Sequence, residues 1–161
     1  SQSLIPNPAA FGDEWIGTIL YGSESEVFIG FDAGRGVYEI DLATSTIKTI
    51  EENEKLVAAT FDWEGHNLIL VYSDGLVKVL DGHGFSTIAS KNLEINFPES
   101  GSTGAPTYVA TDDFLYISDG INGSISMYKK ENLEFVSRMD LPGKPARMAL
   151  MGSMAHDDHE H

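Results

Sequence analysis

The stretch Asn67–Leu80 reads NLILVYSDGLVKVL: an apolar run, Asn67–Tyr72, meets a turn at Ser73-Asp74-Gly75, and a second apolar-rich run leads back. Asp-Gly between two such runs is a strong short-range signal for a tight antiparallel hairpin, because glycine accepts the positive φ that these turns demand. The chain repeats the pattern. Upstream, Val27–Asp32 passes through Ala33-Gly34-Arg35-Gly36 into Val37–Asp41; downstream, Phe114–Ile117 passes through Ser118-Asp119-Gly120-Ile121-Asn122-Gly123 into Ser124–Tyr128. With Gly34, Gly75 and Gly120 taken as equivalent, the repeats are spaced 41 and 45 residues apart. Short strands recurring at such a period indicate a β-propeller, in which each unit is one sheet that buries its faces only when neighbours stack on it.

The rest of the chain fits an all-β propeller of about three four-stranded blades plus one closing strand. Residues 1–14, with Pro6 and Pro8, read as an extended arm. The repeats cover 15–50, 56–97 and 107–141. In the first, strands are expected at Trp15–Leu20, Val27–Phe31, Val37–Asp41 and Thr46–Ile50. The second opens with Leu56–Thr60, whose small residues suit an innermost strand near a crowded axis, and ends with an outer strand near Phe85–Ala89. The third is expected to supply Thr107–Ala110, Phe114–Ile117, Ser124–Tyr128 and Glu134–Met139. Residues 146–150 read as the innermost strand of a fourth repeat, and 151–161 as an acidic, His-rich tail. Because about four to eight blades close a ring, the chain is expected to be part of a larger ring, completed by further blades or by further copies of itself. Along the central hairpin, Leu76 is expected to be buried and Lys78 to reach water along its stem.

Composition narrows the function. The 161 residues are 42% hydrophobic, enough for a core, and carry 10 Lys+Arg against 25 Asp+Glu, a formal net charge of −15. So acidic a chain repels phosphate backbones and anionic headgroups, which argues against nucleic acid and membrane partners and for cations or basic protein patches. The absence of cysteine excludes disulfide and thiolate chemistry. The longest apolar run has strand length, so no membrane insertion is expected.

Chemistry concentrates at the C-terminus. His156, His159 and His161, interleaved with Asp157, Asp158 and Glu160, place three imidazoles and three carboxylates within six residues. Such donors suit zinc, nickel or copper(II), and His156, Asp158, His159 and His161 are the candidate metal ligands. A charged, solvated end is the plain alternative. Met148, Met151 and Met154 offer soft donors for copper(I), although packing and linker roles account for them more simply. His66 and His83 fall at expected turns and are read as solvated, on opposite rims or levels. Asp32, Asp74 and Asp119 follow the second strand of each repeat; in some propellers such acids hold an axial ion, as in metal-dependent lactonase-like enzymes, but Asp-Gly turn formation explains them more directly. No nucleophile elbow, phosphate loop or catalytic triad spacing is present, so no enzyme activity is expected.

On the units Tyr72–Asp81, Ile117–Gly120 with Ile125–Tyr128, and Gly143–Leu150, the chain resembles periplasmic propellers of the YncE-like kind from about Trp15 to Leu150. The His-rich tail narrows the resemblance towards the zinc metallochaperone propellers of the AztD group. That resemblance implies a periplasmic protein that binds Zn2+ and delivers it to the solute-binding protein of an ABC transporter, with the His156–His161 cluster as the comparable ligand set. The alternative is an extracytoplasmic propeller that acts as a protein-interaction scaffold and carries an incidental tail.

Overall fold

Each of the three turn-linked apolar pairs folds as the inner part of a four-stranded antiparallel meander. The structure, a computed structural model, describes residues 16–100 and 102–142. The first sheet runs β1 (Thr18–Gly22), β2 (Val27–Asp32), β3 (Gly36–Asp41) and β4 (Thr46–Glu52). The second runs β5 (Leu56–Phe61), β6 (Asn67–Tyr72), β7 (Leu76–Asp81) and β8 (Thr87–Asn92), and the third β9 (Tyr108–Ala110), β10 (Phe114–Asp119), β11 (Ser124–Lys129) and β12 (Phe135–Asp140). Sequential strands pair as neighbours throughout. Successive sheets meet through their first strands, β1 against β5 and β5 against β9. The protein is a β-propeller, and its three described blades form an open arc. The expected closing strand, 146–150, the arm and the tail lie outside the described residues. Among the described residues no helix is long and apolar enough to cross a membrane.

The middle blade explains why NLILVY is continuously apolar. Alternate residues of a strand point to opposite faces, and both faces of β6 are covered. Leu68, Leu70 and Tyr72 pack with Ile29 and Val37 of the first blade, whereas Ile69 and Val71 pack with Ala110, Leu115 and Ile117 of the third. Each of these aliphatic side chains contributes about 1.5–3 kcal/mol when fully buried, so the two seams are the core. The outermost strands bury little: every residue of β12 is exposed, with Phe135 at 55% and Met139 at 63%.

Several expectations need correction. The left-handed backbone that recurs in the lower turns is at Gly34 (φ 76°), Gly75 (φ 87°) and Gly123 (φ 72°), so Gly123 and not Gly120 is the third equivalent. The β10–β11 turn is one residue longer than the other two, with Asp119 opposite Ser124 where Asp32 lies opposite Gly36. Gly120 serves a different purpose, since a Cβ there would lie 2.7 Å from the Gly104 backbone. Lys78 also does not simply reach out to water, since its side chain is only 25% exposed. Positions 76 and 78 are two apart and therefore share a face, the one turned to the first blade. Lys78 Nζ donates to Glu51 Oε1 at 2.8 Å and sits 5.2 Å from the centre of the Tyr72 ring, while the Tyr72 hydroxyl donates to Glu51 Oε2 at 2.5 Å. Burial pushes the Tyr72 hydroxyl pKa up, and the Glu51 hydrogen bond and charge push it further.

The outer strand of the second blade starts at Thr87, not Phe85, because Phe85 (φ 61°) still belongs to the turn. In the first blade the inner strand begins at Thr18 and the outer one extends to Glu52.

Candidate metal centre

The β5–β6 turn, Asp62-Trp63-Glu64-Gly65-His66, sits on the rim where the inner strands end. Its shape is set locally: the Gly65 N–H donates to the Asp62 carbonyl at 3.1 Å, and the His66 N–H donates to Asp62 Oδ1 at 2.7 Å. Short acidic side chains favour such closures because they reach their own backbone two to four residues on. Gly65 is required twice over. It has φ 80°, and a Cβ would lie 2.4 Å from the Ser23 nitrogen of the β1–β2 turn.

Neighbouring blades clamp the turn from both sides. From the first blade, the Glu24 N–H and the Ser23 hydroxyl donate to the Glu64 carbonyl at 3.0 and 2.6 Å. Towards the third blade, the Trp63 N–H donates to the Ala110 carbonyl at 2.9 Å. Three equivalent turns, one per blade, thus converge on His66. Its Nδ1 lies 3.5 Å from Glu64 Oε2 and 4.0 Å from Asp112 Oδ1, and its Nε2 lies 4.0 Å from Glu24 Oε2.

Asp62, His66 and Asp112 each present a donor atom within 4.8 Å of the others. Asp62 has a fully buried side chain, and its Oδ2 is held by the Lys130 ammonium, itself only 7% exposed, from the β11–β12 turn. His66 and Asp112 are half exposed. Counting Glu24 and Glu64, four carboxylates stand around a single imidazole, and one of them, Asp62, holds an ammonium. One imidazole among carboxylates suits zinc and similar divalent ions. Zinc takes nitrogen and oxygen donors at about 2.0–2.2 Å, so these side chains must draw inward to bind, and the exposed pair can do so.

Of the residues singled out in the sequence, His156, Asp158, His159 and His161, together with Met148, Met151 and Met154, lie outside the described residues. His66 enters the cluster although its turn position pointed to solvation. His83 is on the same rim as His66, contrary to expectation: two antiparallel strands return the chain to the end it left, and the Gly82 N–H donates to the His66 carbonyl at 2.8 Å. His83 nevertheless stays exposed beside its neighbour Asp81, whose Oδ1 accepts its backbone N–H at 2.8 Å.

On the opposite rim the repeated acids shape turns. Asp74 Oδ1 accepts the Leu76 N–H at 3.2 Å, and Asp32 Oδ2 lies 3.6 Å from Arg35 Nε. Asp119 Oδ1 accepts the Ile121 and Asn122 N–H groups, both at 2.9 Å, and its Oδ2 accepts the Asn96 and Asn122 side-chain amides at 2.7 and 2.8 Å. Burial works to raise the Asp119 pKa, but the hydrogen bonds from Asn122, Asn96 and Ile121 outweigh it and bring the carboxyl down to about 2.

No protein-family model and no curated protein matches the chain. Among solved structures it is similar to Citrobacter koseri AztD, at TM-score 0.71 and 16% identity over 88% of this chain and 39% of that one. Apo AztD from the same organism gives 0.66 and 16% over 80% and 35%. BamB from Moraxella catarrhalis gives 0.53 and 12% over 78% and 37%. The chain spans well under half the length of each of these. At such identities the likeness establishes the propeller fold, with AztD, the group resembled by the sequence, among the structures it matches.

Proposed function

We propose that this chain is a metal-carrying propeller that holds a divalent ion, zinc first, as cargo and not as a catalytic centre. The observation that carries the reading is the convergence of His66, Asp62 and Asp112 from turns of two adjacent blades within 4.8 Å. The sequence resemblance to zinc metallochaperone propellers and the structural likeness to AztD support it. In this reading the His156–His161 tail is a second ligand set that captures the ion and shares it with the rim. The protein works outside the cytoplasm and passes its cargo to a transport partner such as an ABC-transporter solute-binding protein.

Calorimetric titration of the full chain with zinc tests this. Substituting His66 by alanine is expected to remove rim binding, and substituting His156, His159 and His161 together to remove tail binding. A chain that takes up no zinc, or whose uptake neither change affects, would overturn the reading.

A further inference from the structure

We infer that Lys130 is the built-in occupant of the rim site, an ammonium that holds the Asp62 carboxylate until a metal ion displaces it. The inference rests on the rim reading above and adds how the site is regulated. Asp62 is the deepest of the three prospective ligands, and both of its oxygens are engaged, Oδ1 by the His66 N–H and Oδ2 by Lys130. A divalent ion drawn to Oδ2 therefore meets a positive charge already there, and two cations in a water-poor setting repel strongly. The ammonium has somewhere to go. A cleft of about 380 Å³ beside the site is lined by Lys130 itself and by the acids Asp112, Asp113 and Glu131. The backbone of Lys130 stays fixed through its N–H bond to the Asp113 carbonyl at 2.8 Å, so movement needs only side-chain rotation.

The exchange has a mechanical side. Lys130 and Asp62 belong to different blades, and their buried contact ties the third blade to the second. Loading the rim would trade this tie for bonds from the ion to Asp62 and His66 of one blade and Asp112 of the other. Emptying it would restore the ammonium, which then disfavours rebinding. Zinc would thus be held less tightly than the donors alone allow, as suits a cargo that has to be handed on.

The test uses the full chain with His156, His159 and His161 replaced by alanine, so that only the rim reports. Lys130→Met should tighten zinc binding by about tenfold, within the usual range of coupling between sites. In the parent protein, one equivalent of zinc should shift the NMR signal of the Lys130 side-chain ammonium. Should Lys130→Met fail to fold, the ammonium signal decides alone. An unshifted signal at saturating zinc, or a folded Lys130→Met that binds zinc no tighter, would overturn the inference. If His66→Ala binds zinc like the parent, the rim reading falls and this inference with it; if His66→Ala loses zinc but Lys130 proves indifferent, only the inference falls.

Discussion

The two rims of the arc carry the same kinds of residue and use them differently. On the lower rim, Asp119 takes its hydrogen bonds mainly from its own turn, with Asn96 the one distant donor, and Asp74 takes one from its own turn and one from the exposed Lys55 that leads into β5 of the same blade. On the upper rim, Asp62 takes one bond from its own turn and one from a blade away, and Glu24, Glu64 and Asp112 stand around one imidazole. A carboxylate whose oxygens are filled locally shapes the chain. A carboxylate whose neighbours come from other blades is placed to respond to something outside it, or to lock two blades together.

The sharpest way to break this comparison is to remove the acid that ties blades. Asp62→Ala removes the buried partner of the Lys130 ammonium and the closure of its own turn, and is expected to cost about 3 kcal/mol, the low end for a broken buried pair because the ammonium can turn into the acid-lined cleft. Urea unfolding that found a loss under about 1 kcal/mol would put Asp62 on a par with an ordinary surface residue.

Next in size come two changes on one face of β7. Leu76→Asp places a carboxylate in the seam with the first blade, and Lys78→Asp sets one against Glu51 after removing the ammonium that Glu51 holds. Each should cost about 2 kcal/mol. If thermal melts showed Lys78→Asp to be neutral, the Glu51–Lys78 contact would be only a surface pair.

Asp119→Ala probes the lower rim and should cost about 1 kcal/mol, discounted for its contact with solvent. Its pH dependence has a defined sign. The folded carboxyl is lowered from 3.8 to about 2, so its contribution is complete above about pH 4 and is lost as pH falls towards 2. Measured against pH, the stability gap between wild type and variant should therefore shrink across that window. A gap that stayed constant would deny the turn hydrogen bonds their role.

Smallest in stability is His66→Ala, expected within about 0.5 kcal/mol because the ring is 46% exposed. Its effect belongs in zinc titration and not in unfolding. A large loss of stability would show the imidazole to be a structural strut.

The fold was legible because its signals are local. NLILVY followed by Ser-Asp-Gly carries strand, turn and two-sided burial in nine residues, and the outer strands differed only at their ends, as where the left-handed Phe85 prolonged a turn or β4 ran on to Glu52. The rim cluster was not legible as a motif, since its members are each ordinary at their own turns. The repeat itself held the signal: Glu24, His66 and Asp112 stand 42 and 46 residues apart, within two residues of the 41 and 48 that separate Gly34, Gly75 and Gly123. What was missing was a way to see that equivalent turns in neighbouring blades touch. The same lack of topology put His66 and His83 on opposite rims or levels, and two residues of one face, Leu76 and Lys78, in different surroundings.

The two-sided burial of β6 also constrains how such a molecule can change over generations. A blade sandwiched between others has no free face on which to try new side chains, so Leu68 to Tyr72 admit little beyond volume-conserving apolar exchanges. Only the turns remain open. Novelty in the middle blade must therefore be written into short connectors, of which Asp62 to His66 is one. A connector that keeps Gly65 against Ser23 could be exchanged as a cassette, bringing a new set of donors to the rim while the strands beneath it stay as they are.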